Sequence, residues 1–266
     1  MFAVTIATLV QGRGWEAEGH ADGGAWLDVS GVLGLVVLLT LLGVLVARAL
    51  LRRERYRATG ALSAADVERV HEAIRAAERR TVGEVLPVVL GRSDRHPGAS
   101  WLAAFLFATL GSFLLGVWLP WHLPLLLIPI QVALGALGYG LTRALPGFQR
   151  LFVSEGRATE MAEEQALQEF FRHGLHRTEG RTGVLLFVSL LEQRVVVLAD
   201  EGIDAKVSPD QWKETDAAVL GGIARGSLAD GLVAGIESAA EVLARHFPWR
   251  DGDRNEIPDR LIVRAE

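Results

Sequence analysis

Between Trp101 and Thr142 the chain carries no Asp, Glu, Lys or Arg. As one straight helix this run would be roughly 63 Å long, about twice the hydrocarbon core of a bilayer, so it must fold back on itself. The reversal falls at residues 120–124, Pro-Trp-His-Leu-Pro, where two prolines remove backbone donors and turn the residues before them away from helix. The sequence thus predicts a transmembrane hairpin with arms at 101–119 and 125–143. Trp118 and Trp121 would stand at one membrane interface, Trp101 and Tyr139 at the other. Ala104, Ala108, Ser112 and Gly116 recur every fourth residue on the first arm, as do Ala136, Gly140 and Ala144 on the second. Small residues at that spacing predict the seam between the arms. His122, the lone titratable group near the bilayer, reads as a wetted turn residue.

A second uncharged stretch, 29–47, predicts a further transmembrane helix over 29–51. Glu16, Glu18, Asp22 and Asp28 precede it, and Arg48, Arg52, Arg53, Arg55 and Arg57 follow. A signal peptide has the reverse arrangement, so this is an uncleaved anchor, with 1–28 as an extracytoplasmic segment. The basic linker 52–61 is explained by topology alone, and it would also attract anionic headgroups. If the spans alternate, this linker shares one side of the membrane with Arg92, Arg95, Arg143, Arg150 and Arg157. The positive-inside rule makes that side the cytoplasm and places the N-terminus outside. No acid or base lies within any span, so a transporter would lack a charge carrier.

The remainder reads as soluble protein. Hydrophobic residues make up 50% of the 266, charged residues 22%, and the net charge is -5. These figures exclude a disordered chain and a basic nucleic-acid binder. The absence of cysteine excludes disulfides, thiolate catalysis and cysteine zinc sites.

Ser63 with Asp66 caps a helix whose inner face carries Val70 and Ile74, and Glu84 to Leu90 is a short apolar strand. Pro87 lacks a ladder donor, which predicts an edge strand or a bulge. Beyond the hairpin, 158–171 is a two-faced helix ending near Gly174. Residues 183–190 and 194–199 are strands joined by Leu191-Glu192-Gln193, and two helices follow, the first capped by Ser208-Pro209-Asp210-Gln211. Strands too apolar to expose either face, with helices enough for both, predict a three-layer α/β/α sandwich. Residues 62–100 and 144–248 would form it together, since neither part alone closes a core. Residues 249–266 read as a loosely held charged tail.

Three segments of this domain resemble the TPM domain family: Thr81-Val82-Gly83-Glu84-Val85, the stretch from Gly174 to Ser189 containing Thr182-Gly183-Val184-Leu185-Leu186, and Ala199-Asp200-Glu201-Gly202-Ile203-Asp204. The chain is most similar to the family's bacterial membrane-bound branch, in which a transmembrane hairpin splits the domain. The resemblance spans about 62–248, and the first span lies outside it. It implies the α/β/α fold, in a family where some members are linked to phosphatase activity, some to divalent-metal binding and some to assembly or repair of membrane complexes. It also implies a multi-pass protein of the bacterial inner (plasma) membrane.

Asp200, Glu201 and Asp204 follow the last strand of this unit, where α/β sheets usually place ligands, and their hard oxygens would suit Ca²⁺ or Mg²⁺. The resemblance aligns Gly202 and Asp204 with the second Gly and the Glu of the family's Gly-Tyr-Gly-Leu-Glu stretch, while Asp200 and Glu201 depart from it. Solvated loop charge is the alternative reading. Glu84 and Glu179 would share the sheet end opposite to Asp200, as an acid/base pair or as partners of Arg177 and Arg181. His173 and His176 lack a third zinc ligand, and a helix carboxyl end accounts for them. Gly-x-Ser-x-Gly, P-loop and dinucleotide patterns are missing.

The first expectation is therefore a non-enzymatic interaction or assembly module, with the bilayer and other membrane proteins as partners and no nucleic acid. The alternative is a divalent-metal-dependent phosphatase-like hydrolase using Asp200, Glu201 or Asp204. It would require a further oxygen ligand beside Asp204, from Asp94, Asp210 or Asp216.

Overall fold

The computed structural model describes residues 58–116 and 127–265, with Thr40, Gly43, Val44, Val46, Ala47, Arg48, Leu50 and Leu125. All belong to the second of the chain's two units, Leu39–Glu266. The 120–124 turn, Trp118 and most of the 29–51 span lie outside the described residues.

Helix α1 (Ala64–Glu78) starts where expected. The Asp66 amide donates to Ser63 Oγ at 3.1 Å and the Ser63 amide to Asp66 Oδ2 at 3.0 Å, a reciprocal cap. Strand β1 (Glu84–Leu90) follows, then α2 (Pro97–Gly116), α3 (Leu127–Ala144) and α4 (Glu155–Arg172). Strands β2 (Gly183–Ser189) and β3 (Arg194–Ala199) form a hairpin, and α5 (Trp212–Ala224), α6 (Leu228–His246) and β4 (Ile262–Arg264) complete the chain.

The sheet order is β3-β2-β1-β4. Strand β1 runs parallel to β2, with Glu84 opposite Gly183 and Leu90 opposite Ser189, while β2 and β3 are antiparallel. A parallel pair needs a long crossover, and here that crossover contains α2, α3 and α4. The strands on either side of the apolar insertion are thus direct neighbours in one sheet.

Side-chain alternation divides the core between the two faces. Val85, Val89, Val184, Leu186 and Val188 meet Val70, Ile74, Val219, Ile236 and Leu243 from α1, α5 and α6. Leu86, Val88, Leu90, Leu185 and Phe187 meet Ala162, Ala166 and Phe170 of α4. Helices therefore cover both sides of a mixed sheet. Strands β1 and β2 are buried along their whole length, as continuous apolar runs require.

The C-terminal segment differs from the loose tail expected of it. Ile262–Arg264 pairs in parallel with Val88, Val89 and Leu90, so β1 is an inner strand. That also corrects the edge reading drawn from Pro87. The β4 ladder begins only at Val88, so the residue without a donor lies just before it.

Helices α2 and α3 pack closely along their length. A Cβ on Gly138 would lie 2.8 Å from the Ala103 carbonyl oxygen, and one on Gly135 would lie 3.5 Å from that of Ala104. The seam on the first arm contains Ala104 and Ala108 as expected. On the second arm it runs through Gly135 and Gly138, and Gly140 faces open space, so the Ala136-Gly140-Ala144 stripe was the wrong face. Trp101 and Tyr139 meet at one end with tilted rings, centroids 5.3 Å apart. At the root, Phe148 lies edge-on to Phe107 at 6.0 Å, and Gln149 Nε2 donates to the Arg95 carbonyl at 2.7 Å. Among the described residues one helical stretch, Pro97–Leu114, is long and apolar enough to cross a membrane.

Candidate functional site

The starts of β1 and β2 lie side by side, and β3 runs back to the same place. Glu84 therefore opens β1 at the end of the sheet where Asp200 follows β3, and the Asp200 amide donates to the Gly183 carbonyl at 2.9 Å. This overturns the expectation that the two acids occupy opposite ends. A two-strand hairpin returns the chain to its starting edge, and the turn at Leu191-Glu192-Gln193 already required that.

Glu84 is only 5% exposed. Its Oε1 accepts from the Glu256 amide at 3.0 Å, and its Oε2 has no hydrogen-bond partner among the described residues. Burial raises its pKa to about 7, despite the lowering effect of the Glu256 and Ile257 amides. Glu179 does not bring its carboxylate to Glu84; its amide instead donates to the Glu256 carboxylate at 2.8 Å. The C-terminal segment thus stands between the two acids, an arrangement a local sequence reading could not supply.

Beside Glu84 a cavity of about 350 Å³ is lined by Glu78, Asp253, Asp259, Arg79 and Trp249 among others. Burial, reinforced by a hydrogen bond with the Asp259 carboxyl, pushes Glu78 up to about 9. Asn255 Nδ2 donates to Glu78 Oε2 at 3.4 Å and also to Asp259. The Glu78 carboxyl is therefore protonated at neutral pH.

The three acids proposed as metal ligands take different roles. Asp200 is buried and caps the turn Glu201–Asp204, its Oδ1 accepting from the Glu201 amide at 2.9 Å. Arg181 Nη1 lies 3.8 Å from the same oxygen. Glu201 and Asp204 are exposed, and burial followed by the Asp200 charge raises the Asp204 pKa. Gly202 is fixed by packing, since a Cβ there would stand 2.2 Å from the Gly180 carbonyl oxygen. Among the described residues no three Asp, Glu or His side chains converge on a metal-sized site. Asp94 instead accepts from the His96 amide at 3.1 Å, and Asp210 pairs with Lys213 at 2.6 Å. Asp216 lies on α5 with a buried, unpaired Oδ1.

His173 and His176 separate as well. His173 Nε2 lies 3.1 Å from Glu169 at the end of α4, while the His176 ring lies tilted against Phe171 with centroids 5.0 Å apart.

The opposite end of the sheet holds a cluster that sequence reasoning missed. His96 Nε2 is 2.6 Å from Glu192 Oε1, the Ser93 amide donates to Glu192 Oε2 at 3.1 Å, and Ser189 Oγ donates to that oxygen too. The available signal was one acid inside an otherwise apolar hairpin. Read locally, Glu192 was merely a turn residue.

No protein-family model matches the chain, and no curated protein does. Among solved structures, the chain is similar to the NMR structure of the BA42 protein from the psychrophilic bacterium Bizionia argentinensis, at 22% identity. The likeness covers 77% of this chain and 95% of that one, with a TM-score of 0.49.

Proposed function

We propose that this is a multi-pass bacterial inner-membrane protein, a membrane-anchored interaction or assembly module with a TPM-like α/β/α domain on the cytoplasmic face. The observation that carries the reading is the outer surface of α2 and α3. Trp101, Phe105, Phe113 and Val132 are each more than 60% exposed on a hairpin whose two arms approach closely at Gly111, Gly135 and Gly138. Large apolar side chains in such a continuous belt require a cover, and lipid is the natural one for a hairpin whose arms match a bilayer's thickness. Arg92, Arg95, Arg143 and Arg150 at its root suit a cytoplasmic interface.

An interaction role is favoured over catalysis because the three acids after β3 do not converge: Asp200 caps its own turn, while Glu201 and Asp204 are exposed. The metal-dependent hydrolase would need another oxygen ligand beside Asp204, and the described residues bring none.

The cysteine-free chain makes the test direct. Single variants Gly19→Cys and Glu241→Cys are treated with a membrane-impermeant maleimide in spheroplasts. Gly19→Cys should label in intact spheroplasts and Glu241→Cys only after lysis. Release of the protein by alkaline carbonate would refute the anchor. Mg²⁺-dependent hydrolysis of p-nitrophenyl phosphate that vanishes in Asp204→Ala would refute the non-enzymatic reading.

A further inference from the structure

The chain beyond Trp249 lies over the acidic end of the sheet in an unusual way: its own acids face acids of the domain. The Trp249 amide donates to the Arg80 carbonyl at 3.2 Å, which pins the start of this segment. Exposed Gly252 then turns with φ of 90°, a left-handed conformation that favours glycine and can serve as a hinge. Beyond it Asp253, Glu256 and Asp259 approach Glu78 and Glu84. Arg75 and Arg79 share the cavity wall; Arg75 is held by Glu68 at 2.6 Å and also feels the Asp259 charge. The segment is secured at its far end by three β4 residues, by Gly91, whose amide donates to the Arg264 carbonyl at 2.9 Å, and by the ion pair of Arg264 with Glu169.

Burial under this segment disfavours the charged forms of Glu78 and Glu84, and the charges of Asp253, Glu256 and Asp259 add to it, outweighing the Glu256 amide's hydrogen bond to Glu84, so the segment docks best while these two carboxyls are protonated. We propose that residues 250–265 form a detachable strap: protons on Glu78 and Glu84 let it close over the sheet end, and their loss lifts β4 from β1. Release bares the acid-lined cavity and the backbone edge at Val88–Leu90.

The direction in pH follows from the raised values. A carboxyl whose pKa is higher in the docked state favours docking most below its ordinary 4.5, and that advantage is lost as pH rises. For Glu84 the loss is complete near 7 and for Glu78 near 9. Glu169, Arg172 and His173 surround the other anchor, Arg264. His173 has its pKa lowered by burial, against the opposing Glu169 hydrogen bond and charge.

Hydrogen exchange with mass spectrometry on the full-length protein in detergent tests the strap. Exchange is followed from about pH 6 to about pH 9.5, with rates corrected for intrinsic pH dependence. Protection of the 260–265 peptide should fall about tenfold or more across this range, while the β2 peptide stays constant. In Glu78→Gln combined with Glu84→Gln, which cannot ionise, the strap should remain protected at the upper pH. A substitution that merely damaged the domain would weaken protection instead. Should the β2 peptide reveal unfolding of that variant, Asp259→Asn removes the opposing charge from the strap side and is expected to act likewise. Protection of the wild-type strap that does not change with pH, or variants that lose it in parallel with wild type, would overturn the proposal.

Discussion

His96 Nε2 lies 2.6 Å from Glu192 Oε1, and both side chains are closed to solvent at 2% and 0% exposure. The pair joins the loop entering α2 to the turn between β2 and β3, so the apolar hairpin leaves the domain from a buried polar knot. Ser93 and Ser189 complete it, with their hydroxyls 2.9 Å apart. Burial by itself would raise the Glu192 pKa, but hydrogen bonds from His96, Ser189 and Ser93 outweigh it and hold the carboxyl below 4.5.

Glu192→Ala should therefore cost about 3–5 kcal/mol, because it strands a buried imidazole and two donors. Urea unfolding at neutral pH measures this. A depressed carboxyl contributes stability above its ordinary pKa of 4.5 and loses it as pH falls through the lower, folded-state value. The stability gap between wild type and Glu192→Gln should accordingly narrow on acidification below about pH 4.5. A constant gap would contradict the role assigned to the ionised form.

What the sequence made legible was local. The Ser63 cap, the β2–β3 turn and the continuous apolar runs of β1 and β2 depend on residues a few positions apart, where periodicity and capping chemistry act directly. Pro87 misled because its meaning depends on where β4 begins, and β4 comes from the far end of the chain. The Glu192 cluster and the Glu256 partner of Glu84 escape for the same reason: the contacts join residues about 100 and 170 positions apart in sequence. The place of Asp200 is legible too, because a two-strand hairpin returns the chain to the sheet end where Glu84 begins.

Helices α5 and α6 meet where side chains are missing. A Cβ on Gly222 would stand 2.2 Å from both the Gly231 Cα and its nitrogen, so backbone would have to move. Gly222→Ala should destabilise the domain by about 1–3 kcal/mol or more despite its better helix propensity. Gly156, at the start of α4, has open space around its Cβ position. Gly156→Ala should be neutral or stabilising by up to about 1 kcal/mol. Thermal unfolding of the two variants side by side would separate contact from propensity, and an equal response would refute the close approach.

Asp216 is raised to about 6 by burial alone, and its Oδ1 finds no partner among the described residues. The raised value means that folding favours the neutral acid, so the domain loses stability as pH climbs from about 4 to about 6. The residue is half-buried, and solvent screening limits the cost of its charge to about 1–2 kcal/mol. Asp216→Asn should gain that amount at pH 7 and gain nothing at pH 4. Denaturant midpoints at the two pH values decide it, and an equal gain at both would rule out ionisation as the cause.

Glu169 sits at 0% exposure on α4, where it gathers Gln165 Nε2 at 3.0 Å, Arg172 Nη1 at 2.9 Å, His173 Nε2 at 3.1 Å, and Arg264 from β4. One buried charge thereby connects the helix covering the second face of the sheet to the last strand. Burial lowers the His173 pKa below 6.5, and Glu169 opposes the shift through its hydrogen bond and its charge. Glu169→Gln keeps the shape but removes the charge, so it should cost about 1–3 kcal/mol and weaken β4 before β2. The same substitution should drive the His173 pKa lower still, since only the raising contribution is lost while burial persists. An imidazole titration followed by NMR reads this directly, and an upward movement would show that Arg264, not Glu169, sets the field at that ring.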